Sequence, residues 1–214
     1  MTDAVENGGI LRKTAPQEMK LSDDYLRYEQ IGNVIYMKAP PARIHEAIVT
    51  KILGQLENYL DDKPCRAYGS NIGLDLKPFI PLLKDMPSFQ NHFKKKLDKG
   101  REGESYLLPD VSVLCDNDER HYGSHGYKGT PKLIIEVSSP ATNDRDFYEK
   151  REIYEAIGVS EYWIVSDAQN VTVFVLKDGK FVRAKYETEE QVLELPVSVF
   201  PGLVIKLDKN KLTP

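Results

Sequence analysis

From Ala42 to Leu60 the apolar residues Ile44, Ile48, Ile52, Leu56 and Leu60 recur every four positions, joined by Val49, Leu53 and Tyr59. That period predicts an amphipathic helix with a broad buried face, ended by Asp61-Asp62-Lys63-Pro64. Elsewhere the period is two, or the apolar run is unbroken. Val34-Ile35-Tyr36-Met37, opened by Gly32-Asn33 and stopped by Pro40-Pro41, predicts a strand. Ile72, Leu74 and Leu76 alternate with Gly73, Asp75 and Lys77, as in a half-buried strand. Val111 to Leu114 and Leu133 to Val137 predict two more strands, separated by a polar loop with His121 and His125. Upstream, Ser22-Asp23-Asp24 before Tyr25, Leu26 and Tyr28 predicts a short helix start capped by Ser22.

Asn143, with Asp146 three residues on, predicts the cap of a helix running through Lys150, Ile153, Tyr154 and Ile157 to Gly158. The strand Glu161 to Val165 follows at once, and its Tyr162 and Trp163 read as core. A strand, helix and strand in this order imply a parallel crossover. Val171 to Leu176 and Lys180 to Ala184, on either side of Lys177-Asp178-Gly179, imply an antiparallel hairpin. The expected class is therefore α/β (α+β), with a mixed sheet. Residues 1–21 show no period and read as an arm. Residues 22–214 read as one domain, interrupted at about 78–104 by an irregular insertion with one short helix.

A length of 214 residues suits one domain with an elaboration. The charge balance, 29 basic minus 33 acidic residues, is −4. It argues against coating nucleic acid through bulk charge and leaves room for a local basic cleft. Lys94, Lys95, Lys96, Lys99 and Arg101 are the candidates for that cleft, although such a run is more often a solvated face. No apolar run approaches the roughly 20 residues of a membrane span, and the charged N-terminus does not read as a signal peptide. Cys65 and Cys115 have no near partner in sequence and no C-x-x-C spacing, so a reducing cytoplasm is the expected setting.

The chemistry starts at Glu136. A near-continuous apolar strand is buried on both sides, and a carboxylate there costs several kcal/mol unless it is paired or binds metal. Asp110 leads into the neighbouring strand after Pro109. Two carboxylates delivered by adjacent strands suit one hard cation, Mg²⁺ or Mn²⁺, whose remaining waters include a ready nucleophile. Lys150, one turn after Asp146, is placed to orient that water or to stabilise charge on a phosphoryl group. The spacing alone fits equally a structural Asp146–Lys150 pair within the helix.

The order of residues also resembles a known family. Pro109-Asp110, then Ile135-Glu136-Val137-Ser138-Ser139-Pro140-Ala141-Thr142, then Asp146, Lys150 and Tyr154, and finally Gly158 to Val165, resemble the Uma-type restriction endonucleases of the PD-(D/E)xK nuclease superfamily. The resemblance covers about Tyr25 to Tyr186. It implies a restriction-endonuclease-like core, a divalent metal on Asp110 and Glu136, and metal-assisted hydrolysis of DNA. Ser138 stands where the superfamily has its usual lysine, so the resemblance passes that role to Lys150. Glu29 and His45 fall in the family's leading segment, either as site residues or as satisfied structural groups. A homodimer is implied by analogy with cutting both strands. The displaced lysine and the acidic balance also suit a catalytically inactive binding module on the nuclease scaffold.

Overall fold

The computed structural model describes residues 27–94, 104–116, 118–140, 142–167, 170–187 and 189–212. The expected arm, the helix start from Ser22 to Leu26, and Lys95, Lys96, Lys99 and Arg101 lie outside the described residues.

In chain order the elements are β1 (Tyr28–Ile31), β2 (Val34–Met37), α1 (Arg43–Leu60), β3 (Arg66–Gly69), β4 (Leu74–Asp75), α2 (Ile80–Asp85), α3 (Gln90–Lys94), β5 (Tyr106–Leu107), β6 (Val111–Leu114), β7 (Tyr122–Gly123), β8 (Gly126–Tyr127) and β9 (Leu133–Val137). A composite helix follows, made of α4 (Asn143–Arg145), a π-helical turn (Asp146–Lys150) and α5 (Arg151–Ala156). The chain closes with β10 (Glu161–Asp167), β11 (Asn170–Lys177), β12 (Lys180–Glu187), β13 (Val192–Pro196), β14 (Val204–Asp208) and α6 (Lys209–Leu212).

The main sheet has the order β12-β11-β10-β9-β6-β3. Only β9 and β10 are parallel, joined by the composite helix, and the other neighbours are antiparallel. The mixed sheet with helices is thus as the pattern predicted. The turn from β11 to β12 places Asp178 and Gly179 at φ 49° and 76°. These left-handed conformations are the reason an Asp-Gly pair is favoured there.

Both faces of this sheet are covered, which explains its unbroken apolar runs. Val111, Leu133, Ile135, Val137, Trp163 and Val173 pack on Ile48, Ile52, Leu56 and Leu60 of α1 and on Leu193, Leu195, Ile205 and Leu207 of the β13–β14 hairpin. Ile134, Tyr162, Ile164 and Phe174 pack on Ile153 and Tyr154 of α5 and on a second core. Tyr162 and Trp163 are core residues, fully buried. Buried Glu161 accepts from Trp163 Nε1 at 2.6 Å and Val199 N at 2.9 Å, fastening the turn between β13 and β14 to the sheet.

The second core lies under a sheet of short strands, in the order β2-β1-β5-β4-β8-β7. Here the structure departs from the sequence reading. Tyr28 opens a strand rather than a helix, because β1 pairs with β2 across the Gly32-Asn33 turn. Gly32 has φ +57°, and a Cβ there would sit 2.9 Å from the His92 carbonyl oxygen. The strand expected at Ile72 to Leu76 shortens to β4. Residues 78–94, expected to carry one short helix, carry α2 and α3 after a 3₁₀ turn at Lys77–Phe79. Leu83 and Phe89 of this stretch are fully buried in the second core, so it covers the sheet rather than standing apart from it. The loop with His121 and His125 holds a 3₁₀ turn at Glu119–His121 and then the β7–β8 hairpin, where His125 stacks on Tyr106 at 4.9 Å between centroids. Asn143 is the first helical residue and Thr142 takes the cap position. The strands β3, β5, β13 and β14 were not predicted.

Cys65 and Cys115 correct the expectation that they lack a partner. The β3–β6 register pairs Arg66 with Leu114, so the two cysteines are the next facing residues and form a disulfide. The argument for a reducing compartment falls with that correction. Among the described residues no helix is long and apolar enough to cross a membrane.

Closing a loop between residues 50 apart in sequence should stabilise the fold by roughly 2–4 kcal/mol. A Cys65→Ser, Cys115→Ser double variant should therefore unfold at a lower denaturant concentration than the oxidised protein, with a midpoint insensitive to added dithiol. Equal midpoints for oxidised and reduced wild-type protein would reject the bond.

Candidate active site

The β6–β9 register sets Val111 opposite Ile135, and one step further along the ladder Asp110 faces Glu136. Asp110 Oδ2 accepts from the Val137 amide at 2.9 Å and lies 3.1 Å from His45 Nε2 near the start of α1. Its Oδ1 is 3.4 Å from Lys38 Nζ. Glu136 is 1% exposed, and its Oε1 accepts from Lys150 Nζ and Tyr154 Oη, both at 2.8 Å.

Lys150 comes from the π-helical turn, a rare form that recurs at functional sites. The turn buries Asp146 and Lys150 together, and Tyr162 Oη donates to the Asp146 carbonyl at 3.0 Å. Lys150 Nζ also lies 3.1 Å from Glu29 and 3.6 Å from Asp146. Glu29, in β1 and fully buried, accepts from the Leu108 amide at 2.8 Å and from Arg145 at 2.5 Å. The Arg145 guanidinium in turn lies over the Tyr36 ring, 3.6 Å from its centroid.

Asp110, Glu136, Lys150, Glu29 and His45 thus meet in one cluster. Lys94 is exposed at the end of α3 and stands outside it. Sequence reasoning missed Lys38 and Arg145. Arg145 precedes Asp146 on the composite helix and carried no signal beyond its charge. Lys38 had none, because the β1–β2 hairpin that returns it towards Glu29 was not predicted; its amide donates to the Arg27 carbonyl at 2.8 Å.

Four carboxyl groups (Glu29, Asp110, Glu136, Asp146) stand among the cations Lys38, Arg145 and Lys150, with His45 beside Asp110 and Glu149 beside Arg145. The carboxyls are driven apart in acidity. Burial pushes Glu136 up to about 7, with Asp110 and Asp146 adding to it against the pull of Lys150. Burial also acts on Glu29, but Lys150, Arg145, Lys38 and the Leu108 amide outweigh it and hold that carboxyl down at about 2. Asp110 is likewise held well below the usual carboxylate range, its burial overcome by the His45 hydrogen bond and by Lys38 and Lys150. The same hydrogen bond to Asp110 raises His45. Lys150 is desolvated, yet Glu136, Glu29 and Asp146 keep it firmly protonated.

The donor set suits a hard cation. The close contacts fall on Asp110 Oδ2 and Glu136 Oε1, so Oε2 accepts no hydrogen bond among the described residues and Oδ1 has only the 3.4 Å contact with Lys38. Among the described residues no three or more His, Cys, Asp and Glu side chains form a metal cage. A Mg²⁺ ion needs none, since one or two carboxylates and several waters suffice.

Glu29 supplies a pH test. Its folded-state pKa is depressed from 4.5 to about 2, so its stabilisation is present above about 4.5 and is lost as pH falls towards 2. Glu29→Gln should cost about 3 kcal/mol at pH 7, and the gap to wild type should close across that acid window in denaturant melts. A gap independent of pH would refute the ion-paired state.

Comparisons with known proteins agree with this architecture. No curated protein matches the chain. Among solved structures, the crystal structure of "a putative nuclease belonging to DUF820" from Anabaena variabilis has the same fold, with a TM-score of 0.58 and 18% identity over 86% of this chain and 88% of that one. The model of the Uma2 family, described as "Putative restriction endonuclease", matches residues 17–208, beyond the sequence resemblance at both ends. With nine-tenths of its length matched, the chain belongs to the Uma2 family.

Proposed function

We propose that this protein is a Mg²⁺- or Mn²⁺-dependent endonuclease that hydrolyses DNA phosphodiesters. The observation that carries the reading is the meeting of Asp110 and Glu136 on adjacent strands with Lys150 Nζ 2.8 Å from Glu136. The helix thereby delivers an ammonium to the glutamate although Ser138 stands at the usual lysine position. The family and the nuclease title of the structural neighbour point the same way.

Each residue has a part set by its contacts. The Val137 amide and His45 fix Asp110 through Oδ2 and keep it ionised, and Oδ1 has only the long contact with Lys38. Lys150 and Tyr154 fix Glu136 through Oε1 and leave Oε2 for a ligand. When bound there, a divalent cation supplies Lewis-acid stabilisation of the phosphoryl group and lowers the pKa of a coordinated water. Lys150 offsets the negative charge of the buried carboxylates and holds the geometry that catalysis requires. Cutting both strands of a duplex is simplest with two copies about a two-fold axis, so the active form is proposed as a homodimer.

Plasmid DNA incubated with the protein should be cleaved in Mg²⁺ or Mn²⁺ and spared in EDTA. Glu136→Ala and Asp110→Ala should each lower the rate at least about 100-fold. Cleavage undiminished in Glu136→Ala would reject the assignment. A Mn²⁺ titration by calorimetry that shows no binding to wild type would favour a non-catalytic module instead.

A further inference from the structure

The ammonium beside Glu136 is poorly placed to touch a substrate. Lys150 has three N–H groups, and three carboxylates surround it, at 2.8 Å (Glu136), 3.1 Å (Glu29) and 3.6 Å (Asp146). Its side chain is 3% exposed. The Asp146 contact is too long for a strong hydrogen bond, so what keeps a phosphoryl oxygen from this ammonium is its burial between Glu136 and Glu29, whose ion pairing any turn towards solvent would weaken.

Lys38 is differently placed. Its Nζ donates to the Leu108 carbonyl at 2.9 Å and lies 3.4 Å from Asp110 Oδ1 and 4.0 Å from Glu29 Oε1. At 20% exposure its side chain is the most accessible of the three cations in the cluster. Among the described residues the Leu108 carbonyl is its one short acceptor. The 3.4 Å contact is long for a charge-assisted bond, for which roughly 2.7–2.9 Å is usual, so it is readily exchanged. The backbone behind Lys38 is pinned to Arg27 by its own amide, so the ammonium swings on a fixed base.

We propose that Lys38 is a catalytic residue. Anchored on the Leu108 carbonyl beside Asp110, its ammonium hydrogen-bonds a non-bridging oxygen of the scissile phosphodiester and stabilises the charge that builds there. Lys150 is then a positioning residue that holds Glu136 and Glu29 from beneath. This assignment rests on the nuclease reading and goes beyond it, dividing between two lysines a task that the motif gives to one.

The competing role is purely structural, with Lys38 serving only to neutralise Asp110 and Glu29. Two variants separate the roles: Lys38→Met, which keeps the length of the stem, and Lys38→Gln, which keeps a donor for Leu108. Binding to a 20-base-pair duplex is followed by fluorescence anisotropy across a salt series with Ca²⁺ replacing Mg²⁺. Losing one phosphate contact should reduce the slope of log K against log[salt] by about 0.9. In Mg²⁺, kcat/KM should fall about 10²–10³-fold, with partial rescue by Lys38→Arg. An unchanged slope and kcat/KM in either folded variant overturns the proposal, as does a wild-type protein that binds no duplex. If wild type binds the duplex but cleaves no DNA with Mg²⁺ or Mn²⁺, the nuclease reading fails, and the salt slope still reports whether Lys38 meets phosphate.

Discussion

Lys150 Nζ is shared by Glu136, Glu29 and Asp146, and these carboxylates come from three separate stretches of chain. A buried carboxylate or ammonium is tolerated only when it is paired and hydrogen-bonded. The strand β9, the strand β1 and the π-helical turn must therefore keep their relative places. The other contacts of the cluster serve that demand: Leu108 and Arg145 hold Glu29, Tyr154 holds Glu136, and Tyr162 holds the turn itself. The same requirement links the two cores, since β1 belongs to the second sheet and β9 to the main one.

Covering both faces of the main sheet is what makes such a cluster possible. The helix α1 and the β13–β14 hairpin seal one face, and the composite helix with the second core seals the other. Water is excluded from Glu136, and its carboxyl is raised to about 7, while Asp110, slightly nearer solvent and bonded to His45, stays ionised. Two facing carboxyls of unlike acidity are a common arrangement at sites where charge must develop during a reaction.

Much of the scaffold was legible before any coordinates. The long helix, the crossover from Leu133 to Val165 and the Asp178-Gly179 hairpin each follow from local signals: a four-residue period, a capped helix between two apolar runs, and a pair of residues suited to positive φ. The alternation of Leu193 and Leu195 with Glu194, and of Ile205 and Leu207 with Lys206, is an equally local signal for β13 and β14. The need of Glu136 for a partner was readable from its apolar surroundings. Its particular partners were less so, because a π-helical turn changes which residues of a helix face inward.

The amino-acid sequence alone determined the class of fold, the strands that carry Asp110 and Glu136, and the helix that carries Lys150, because periodicity and turn chemistry act over a few residues. Only the tertiary structure decided that Tyr28 begins a strand, that Cys65 meets Cys115, that residues 78–94 cover a second core, and that Lys38 and Arg145 join the cluster. The disulfide and the second core depend on contacts between segments distant in sequence, and the β1–β2 hairpin, though local, counts for the site only because it brings Glu29 and Lys38 to distant partners. The register between strands, which no local pattern encodes, settled which side chains meet.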